Sequence, residues 1–478
     1  MRVSEHYGIG KTQASLEFVD VDISDDVPVF ISPRAVLSVT TQWGHECVAL
    51  IQDFFEHILM LINTGRNTEA RALLAALGEP NETHLGLSTG KSRGHALGPG
   101  SAGNVWQELS ESEAARTGLL TDLEDTVLLV PGISNDIVSD ITTNIIRAPL
   151  IRFTQEIAEK YDIPLVDGVA TGPKWDPRQK AWFEDFDRFP VTPSGRLLLV
   201  PRAIVRMNMA FDVNEYYRHY LLSHLQGVEI AANSGLVEIL KNGNPRVTKK
   251  ALQEKYGSGK QTIITQTRAH PAVLDRYKRD KEDKGRVPLG HEDLAAATGG
   301  SEPDWDTLLA NVISCQSGAG DSTRYEKAVE ALLTALLYPN LDFPKHQHEI
   351  HNGRKRIDIT YANMAATGFF SWLSQHHPSS LVFVECKNYG GEVANPELDQ
   401  LSGRFSPGRG KFGLLVCRSF DNKERFLDRC RDTAADDRGL IIALDDGDLR
   451  QLVADRKNDP QGFFRLRTFH DRVTALLS

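Results

Sequence analysis

The chain has 478 residues, more than one hydrophobic core usually organises, so we expect two or three domains. Hydrophobic residues make up 41% and charged residues 25%, which excludes a disordered chain and a membrane-embedded one. The net charge of −10 excludes a surface that is basic throughout, although a local basic groove is compatible with it. The N-terminus has no secretory pattern and the five cysteines form no CxxC pair, so we expect a cytoplasmic protein.

The first 277 residues mix short strand-like runs with amphipathic helical spacing, which predicts an α+β region. Strands are predicted at Leu16 to Ile23, Val27 to Ile31 and Leu197 to Val200, and helices at Cys47 to Ile62, Thr142 to Tyr161 and Tyr216 to Leu225. A break near residues 165–195 would divide this region into two subdomains. We expect it to carry recognition or regulation, with a trigger ligand or partner that the sequence does not identify.

Residues 278–303 change to a run of charged residues followed by Ala, Gly, Ser and Glu, which predicts a linker. Residues 304–478 then form the last predicted domain. Its predicted helices are 304–314, 323–337, 395–403, 422–432 and 446–455, its predicted strands are 347–361, 381–387, 413–417 and 439–444, and 362–380 is an insertion. This alternation predicts a mixed sheet flanked by helices, so the overall class is α/β.

Two predicted strands of the last domain carry acids among apolar residues. In the first, a period of two places Ile357 and Ile359 on one face and Asp358 on the other. In the second, Leu-Val-Phe-Val-Glu-Cys-Lys, the same period places Glu385 and Lys387 on a shared face. A carboxylate and an amine therefore project together, and a surface salt bridge on an edge strand is the simplest alternative reading of that pair.

If the two strands pair, Asp358 and Glu385 converge on a divalent cation that prefers oxygen ligands, and the backbone carbonyl of Cys386 adds a third. Mg²⁺ is the expected ion, with Mn²⁺ as a substitute. Such an ion neutralises charge on a phosphate and lowers the pKa of a bound water, which Lys387 is placed to orient or deprotonate. This combination predicts phosphodiester hydrolysis.

Two further residues extend the pattern. The helix Arg324 to Leu333 begins with an aromatic residue followed by Glu326, with Glu330 one turn later, and the helix after the Glu-x-Lys strand carries Gln400. Together with the strand acids, this order resembles the PD-(D/E)XK nuclease superfamily, and more narrowly the catalytic domain of Mrr-type restriction enzymes. The resemblance covers about Arg324 to Leu452. It implies that Glu326, or alternatively Glu330, is an accessory acid and that Gln400 faces the site.

Basic residues flank the two acidic strands and are candidates for binding nucleic acid; a solvated surface is the alternative. They are Arg354, Lys355, Arg356, Arg404, Arg409 and Lys411. His346 and His348 lie close by in sequence, but without a cysteine partner they are interpreted as exposed strand histidines.

The resemblance implies a magnesium-dependent endodeoxyribonuclease with DNA as its partner. A large non-catalytic region ahead of an Mrr-like domain resembles the layout of bacterial restriction and anti-phage defence effectors, and we expect a homo-oligomer. The motif does not distinguish the sugar, so an RNase or a DNA-repair nuclease stays an alternative. A catalytically silent nucleic-acid-binding protein is the rival outside the enzymes.

Overall fold

A computed structural model of the chain divides into two compact units. It describes residues 1–86, 109, 120, 122–130, 132–350, 355–388, 393–459 and 466–477. The first unit comprises Met1–Tyr7, Val21–Ser38 and Gln42–Pro288, and the second comprises Gly8–Asp20, Val39–Thr41 and Leu289–Ser478. The expected break near residues 165–195 falls inside the first unit.

The expected linker at 278–303 contains the boundary between the two units, at Pro288 and Leu289, but the chain around this boundary is helical over Pro271–Arg286 and His291–Thr298. Its charged residues belong to a helix that is anchored on one side by the fully buried Tyr277. The hydroxyl of Tyr277 accepts a hydrogen bond from the backbone N–H of Asp212 at 2.9 Å. The charged composition suggested a linker, but the few apolar residues of this helix are enough to bury one face.

The first unit is mainly helical, with short two-stranded pairings. Its helices are Val3–His6, Pro33–Leu37, Gln42–Asn63, Asn67–Ala75, Asn81–Thr83, Asp125–Leu129, Asn135–Ile145, Arg147–Lys160, Arg202–Ile204, Val213–Glu215, Tyr216–Leu221, Leu222–Ala231, Lys249–Tyr256, Lys260–Ala269 and Pro271–Arg286. Its strands are Phe30–Ile31, Val166–Ala170, Lys174–Asp176, Ala181–Phe183, Phe186–Phe189, Val191–Thr192, Gly195–Arg196, Val205–Arg206, Glu238–Ile239 and Pro245–Arg246.

The helices predicted at Cys47 to Ile62 and Tyr216 to Leu225 are confirmed, whereas the helix predicted at Thr142 to Tyr161 is two helices that meet at Ile146. Two strand predictions of this region are wrong. The predicted strand at Leu197 to Val200 is buried but its amides bond outside any strand: Leu198 donates to the carbonyl of Glu82 and Leu199 to the hydroxyl of Thr154. The stretch Leu16 to Ile23 is likewise buried without being a strand. Apolar runs of this length predict burial, and only the hydrogen-bond partners decide whether they form a sheet.

The second unit is built on one five-stranded sheet of order β1-β2-β3-β4-β5. The strands are β1 (Leu341–Ile350), β2 (Lys355–Asn363), β3 (Leu381–Lys387), β4 (Phe412–Cys417) and β5 (Leu440–Leu444). The first three pair antiparallel, and β3, β4 and β5 pair parallel. The mixed sheet is confirmed, while the single strand predicted at 347–361 is a hairpin of β1 and β2.

Helices cover both faces of this sheet. They are His291–Thr298, Trp305–Ile313, Ala319–Asp321, Ser322–Leu337, Gly368–His376, Asn395–Ser402, Lys423–Ala435, Asp446–Asn458 and Arg467–Leu477, and Gln13–Ser15 joins them from the N-terminal part of the chain. The larger core cluster packs Ser322–Leu337 against the sheet, and the smaller one packs Asn395–Ser402 and Lys423–Ala435 on it. The chain is therefore of the mixed α/β class, as expected.

Candidate active site

The strands β2 and β3 bring the two predicted acids side by side. Their register ends with Ile359 opposite Val384, so the next positions along the ladder are Asp358 and Glu385. Beyond that point the backbone N–H of Cys386 donates to Oδ2 of Asp358 at 2.8 Å. The side chain of Asp358 thus takes the place of a backbone acceptor where the strands part.

The parting of the strands corrects one prediction. Ile357 and Ile359 were expected on a single face, but Ile359 lies in the larger core cluster and Ile357 in the smaller one. Strict alternation holds only while the ladder is regular. The ladder between β2 and β3 stops at Ile359, the residue next to Asp358.

Glu385, Lys387 and Gln400 form a closed hydrogen-bonded group. Lys387 Nζ donates to Oε1 of Glu385 at 2.9 Å and to Oε1 of Gln400 at 3.0 Å. Gln400 Nε2 also donates to Oε1 of Glu385. The helix Asn395–Ser402 places Gln400 here, so the three predicted residues are brought together.

The second carboxylate oxygen of Glu385 is left without a partner. Glu385 is 1% exposed, and its Oε2 has no hydrogen-bond partner among the described residues. Burying an unsatisfied carboxylate oxygen costs free energy, so such an atom in a folded protein calls for an explanation. A bound cation would satisfy it.

The pKa of Asp358 is raised from 3.8 to about 7. Burial is the largest cause, and the nearby negative charge of Glu385 is the second. The Cys386 N–H and the Lys387 ammonium oppose the rise, and Glu326 adds to it. Two carboxylates that repel in a buried place become more stable when a cation lies between them.

The helix Ser322–Leu337 contributes Glu326 to this neighbourhood. Gln347 Nε2 donates to Oε2 of Glu326 at 2.5 Å, and His346 Nε2 lies 3.5 Å from the same oxygen. Glu330 is 3% exposed and is near Tyr361 instead, whose pKa is raised by burial first and by the charge of Glu330 second. The structure therefore favours Glu326 over Glu330 as the accessory acid.

Gln347 and the histidines of β1 were not predicted as parts of the site. The register pairs His346 with Ile359 and His348 with Ile357, so Gln347 lies opposite Asp358. Gln347 has φ of 51°, in the left-handed region that is unusual for a residue other than glycine. The two histidines are half-buried rather than exposed, which corrects their interpretation.

Three of the predicted basic residues gather at the end of the helix Asn395–Ser402. Lys355 Nζ donates to the carbonyl of Gly403 at 2.9 Å, and Arg409 Nη2 donates to the carbonyl of Arg404 at 3.2 Å. The Nε atoms of both arginines have no hydrogen-bond partner among the described residues. Burial lowers the pKa of His348, and the charges of Lys345 and Arg409 lower it further.

The other predicted basic residues behave differently. Arg356 is exposed, and Arg354 lies outside the described residues. Lys411 Nζ is bound by both carboxylate oxygens of Asp437, at 3.0 and 3.1 Å. Lys411 therefore has its charge offset by a neighbour, which weakens the prediction that it contacts nucleic acid.

The described residues contain no group of three or more His, Cys, Asp or Glu side chains arranged to hold a metal ion. The Cys386 side chain lies in the larger core cluster, and burial raises the pKa of its thiol, so the side chain is unsuited to bind metal. Two carboxylates, the Cys386 carbonyl and retained waters would be a sufficient oxygen set for Mg²⁺. The residues present thus fit a magnesium ion held partly by water.

Comparison with protein families gives a match in the N-terminal part of the chain. Residues 8–212 match the family model of a domain of unknown function (DUF8370). No curated protein and no solved structure matches the chain. The candidate site lies outside the matched residues. No helix in the described parts of the chain is long and apolar enough to cross a membrane.

Proposed function

We propose that the second unit is a metal-dependent endonuclease that hydrolyses DNA phosphodiester bonds with Mg²⁺, for which Mn²⁺ can substitute. One observation carries the proposal: Asp358 and Glu385 lie next to each other with a buried, unpartnered oxygen and an ammonium group beside them. The alternative interpretation is a surface salt bridge between Glu385 and Lys387. It does not explain why Glu385 is only 1% exposed.

The side chains have separate tasks in this proposal. Asp358, Glu385 and the Cys386 carbonyl hold the ion, which supplies charge neutralisation at the phosphate and a lowered pKa for a water. Lys387 holds the attacking water through its Nζ, and Gln400 fixes the position of Lys387. Glu326 adds negative charge beside Asp358, and Gln347 fixes Glu326 by its amide.

The surroundings of the site support a polyanionic substrate. Lys355, Arg404 and Arg409 lie around the end of the helix Asn395–Ser402, the helix that supplies Gln400. Cations at this place would contact backbone phosphates without reading sequence. The resemblance to Mrr-type enzymes leads us to place the protein among bacterial restriction or anti-phage defence effectors, acting as a homo-oligomer with a sensing first unit.

The test is a cleavage assay on the full chain with plasmid, single-stranded DNA and RNA, in Mg²⁺, in Mn²⁺ and in chelator. Glu385→Ala and Lys387→Ala should each abolish cleavage while the protein remains folded. Glu424→Ala removes an exposed glutamate of the same unit and should leave cleavage unchanged. Retained cutting by both site variants would end the proposal, and cleavage of RNA alone would favour the RNase alternative.

A further inference from the structure

A strongly basic segment, residues 238–268, lies in the first unit. It contains seven Lys or Arg residues and two Glu residues, in a chain whose net charge is −10. Such a local excess of positive charge in an acidic protein is the electrostatic footprint of nucleic-acid binding. The segment lies outside the match to the domain of unknown function.

The basic segment is folded and held in place. It consists of the hairpin Glu238–Ile239 with Pro245–Arg246, the helix Lys249–Tyr256 and the helix Lys260–Ala269. The Val247 carbonyl accepts a hydrogen bond from Gln226 at 2.5 Å, which ties the hairpin side to the helix Leu222–Ala231. Tyr217 donates to the carbonyl of Gly257 at 2.8 Å and so fixes the connection between the two helices.

Some cations of the basic segment are used internally and others face solvent. Lys255 is paired with Glu229 at 2.5 Å, and this contact lowers the pKa of Glu229 to about 2. Lys241 and Arg246 are exposed in the hairpin. The side chain of Lys250 is 86% exposed, and its nearest carboxylate, Glu254, is 3.9 Å away and itself exposed. Exposed pairs of this kind are weak, so Lys250 stays a cation for a partner.

The helix Lys260–Ala269 presents a polar stripe. Gln261, Thr265 and Arg268 are exposed and recur at the spacing of one helical face. Ile263 and Ile264 are buried on the other side. Amide, methyl-bearing hydroxyl and guanidinium groups are the side-chain groups that read base edges in the major groove of DNA.

We propose that the basic segment binds duplex DNA, with the helix Lys260–Ala269 in the major groove and exposed cations at the phosphates. The major groove of B-form DNA is wide enough for an α-helix, whereas that of an RNA duplex is too deep and narrow. The inference deepens the proposed function by naming duplex DNA as the form that is bound and the surface that binds it, and it rests on that function for its purpose. The binding itself needs no cleavage.

The test measures binding of the full chain to labelled duplexes of about 30 base pairs by fluorescence anisotropy, in chelator so that nothing is cut. Thr265→Glu places a negative charge on the stripe and should weaken binding roughly tenfold or more. The matched control is Thr68→Glu, the same change at an exposed position of the helix Asn67–Ala75. Lys250→Ala should weaken binding and lower the salt dependence by about one counterion.

The outcomes separate this inference from the proposed function. Binding that Thr265→Glu and Lys250→Ala weaken, without any cleavage in Mg²⁺, would support the docking surface and defeat the nuclease. Equal affinities for Thr265→Glu and Thr68→Glu, with Lys250→Ala unchanged as well, would overturn the docking surface even if cleavage occurs. Preference for single strands, for RNA or for no nucleic acid would also overturn it. Since Lys250 is so exposed, its replacement tests the idea without risk to folding.

Discussion

Replacement of Asp358 by Asn should stabilise the protein when no metal is bound. The pKa of Asp358 is raised from 3.8 to about 7, by burial first and by Glu385 second. That rise corresponds to about 4 kcal/mol of preference for the neutral carboxyl as an upper limit. We expect Asp358→Asn to raise the free energy of unfolding by about 1 to 3 kcal/mol at about pH 8. Asn keeps a carbonyl oxygen that can accept from the Cys386 N–H.

The dependence on pH has a definite sign. The folded pKa lies above the unfolded one, so folding takes up a proton, and wild-type protein gains stability as pH falls from about 7 towards about 4. Asp358→Asn has no such proton to gain. The stability difference should therefore be largest above about pH 7 and vanish below about pH 4. Thermal unfolding of both proteins in chelator, over a series of pH values, measures it.

The control for this prediction is Glu349→Gln, which removes an exposed acid from β1 and should show neither effect. Addition of Mg²⁺ should stabilise wild-type protein and leave Asp358→Asn unchanged, because binding to the folded state adds stability. The reasoning is refuted if Asp358→Asn unfolds at a lower temperature than wild type at about pH 8 in chelator. It is refuted equally if the difference does not change with pH.

Three further predictions concern the same unit. Gln400→Ala should lower the cleavage rate roughly ten- to a hundredfold with little loss of stability, and single-turnover kinetics would show it. Glu326→Gln should lower cleavage roughly tenfold and Glu330→Gln should not; the reverse order in a plasmid assay would make Glu330 the accessory acid. Gly439 has φ of 110° and a Cβ there would overlap the Phe405 ring, so Gly439→Ala should destabilise by about 3 kcal/mol in denaturant unfolding.

The parts of the site that could be predicted are those set by short-range spacing. Glu385 and Lys387 lie two residues apart on β3, whose ladder with β4 is regular at both positions, so the strand period places them on a common side. The pairing of Asp358 with Glu385 is longer in range, and it followed from the order of the motifs rather than from their spacing. Both were expected, and the geometry brings both together with Gln400.

The parts that escaped prediction depend on irregular backbone and distant contacts. Gln347 reaches Glu326 from a strand whose register shifts between Asp342 and Lys345, and neither the shift nor a φ of 51° is written in hydrophobic periodicity. The assignment of Gly8–Asp20 to the second unit also depends on distant contacts. Ser15 Oγ donates to the carbonyl of Ala331 at 3.2 Å, a contact between segments that no local pattern connects.

A second acidic cluster of the same unit shows why charge alone does not identify a site. Lys423 Nζ lies 2.7 Å from Asp445 and 2.8 Å from Asp448. Burial acts to raise the pKa of Asp445, but the pKa is lowered because the hydrogen bond and charge of Lys423 and the backbone N–H groups of Asp448 and Gly447 together outweigh burial. Lys423, together with Arg472 at 3.1 Å from Asp448, offsets the charge of Asp445 and Asp448. At the candidate site, the Lys387 ammonium does not offset both acids. The pKa of Asp358 stays raised, and Oε2 of Glu385 has no hydrogen-bond partner among the described residues. A bound metal ion would remove this electrostatic cost.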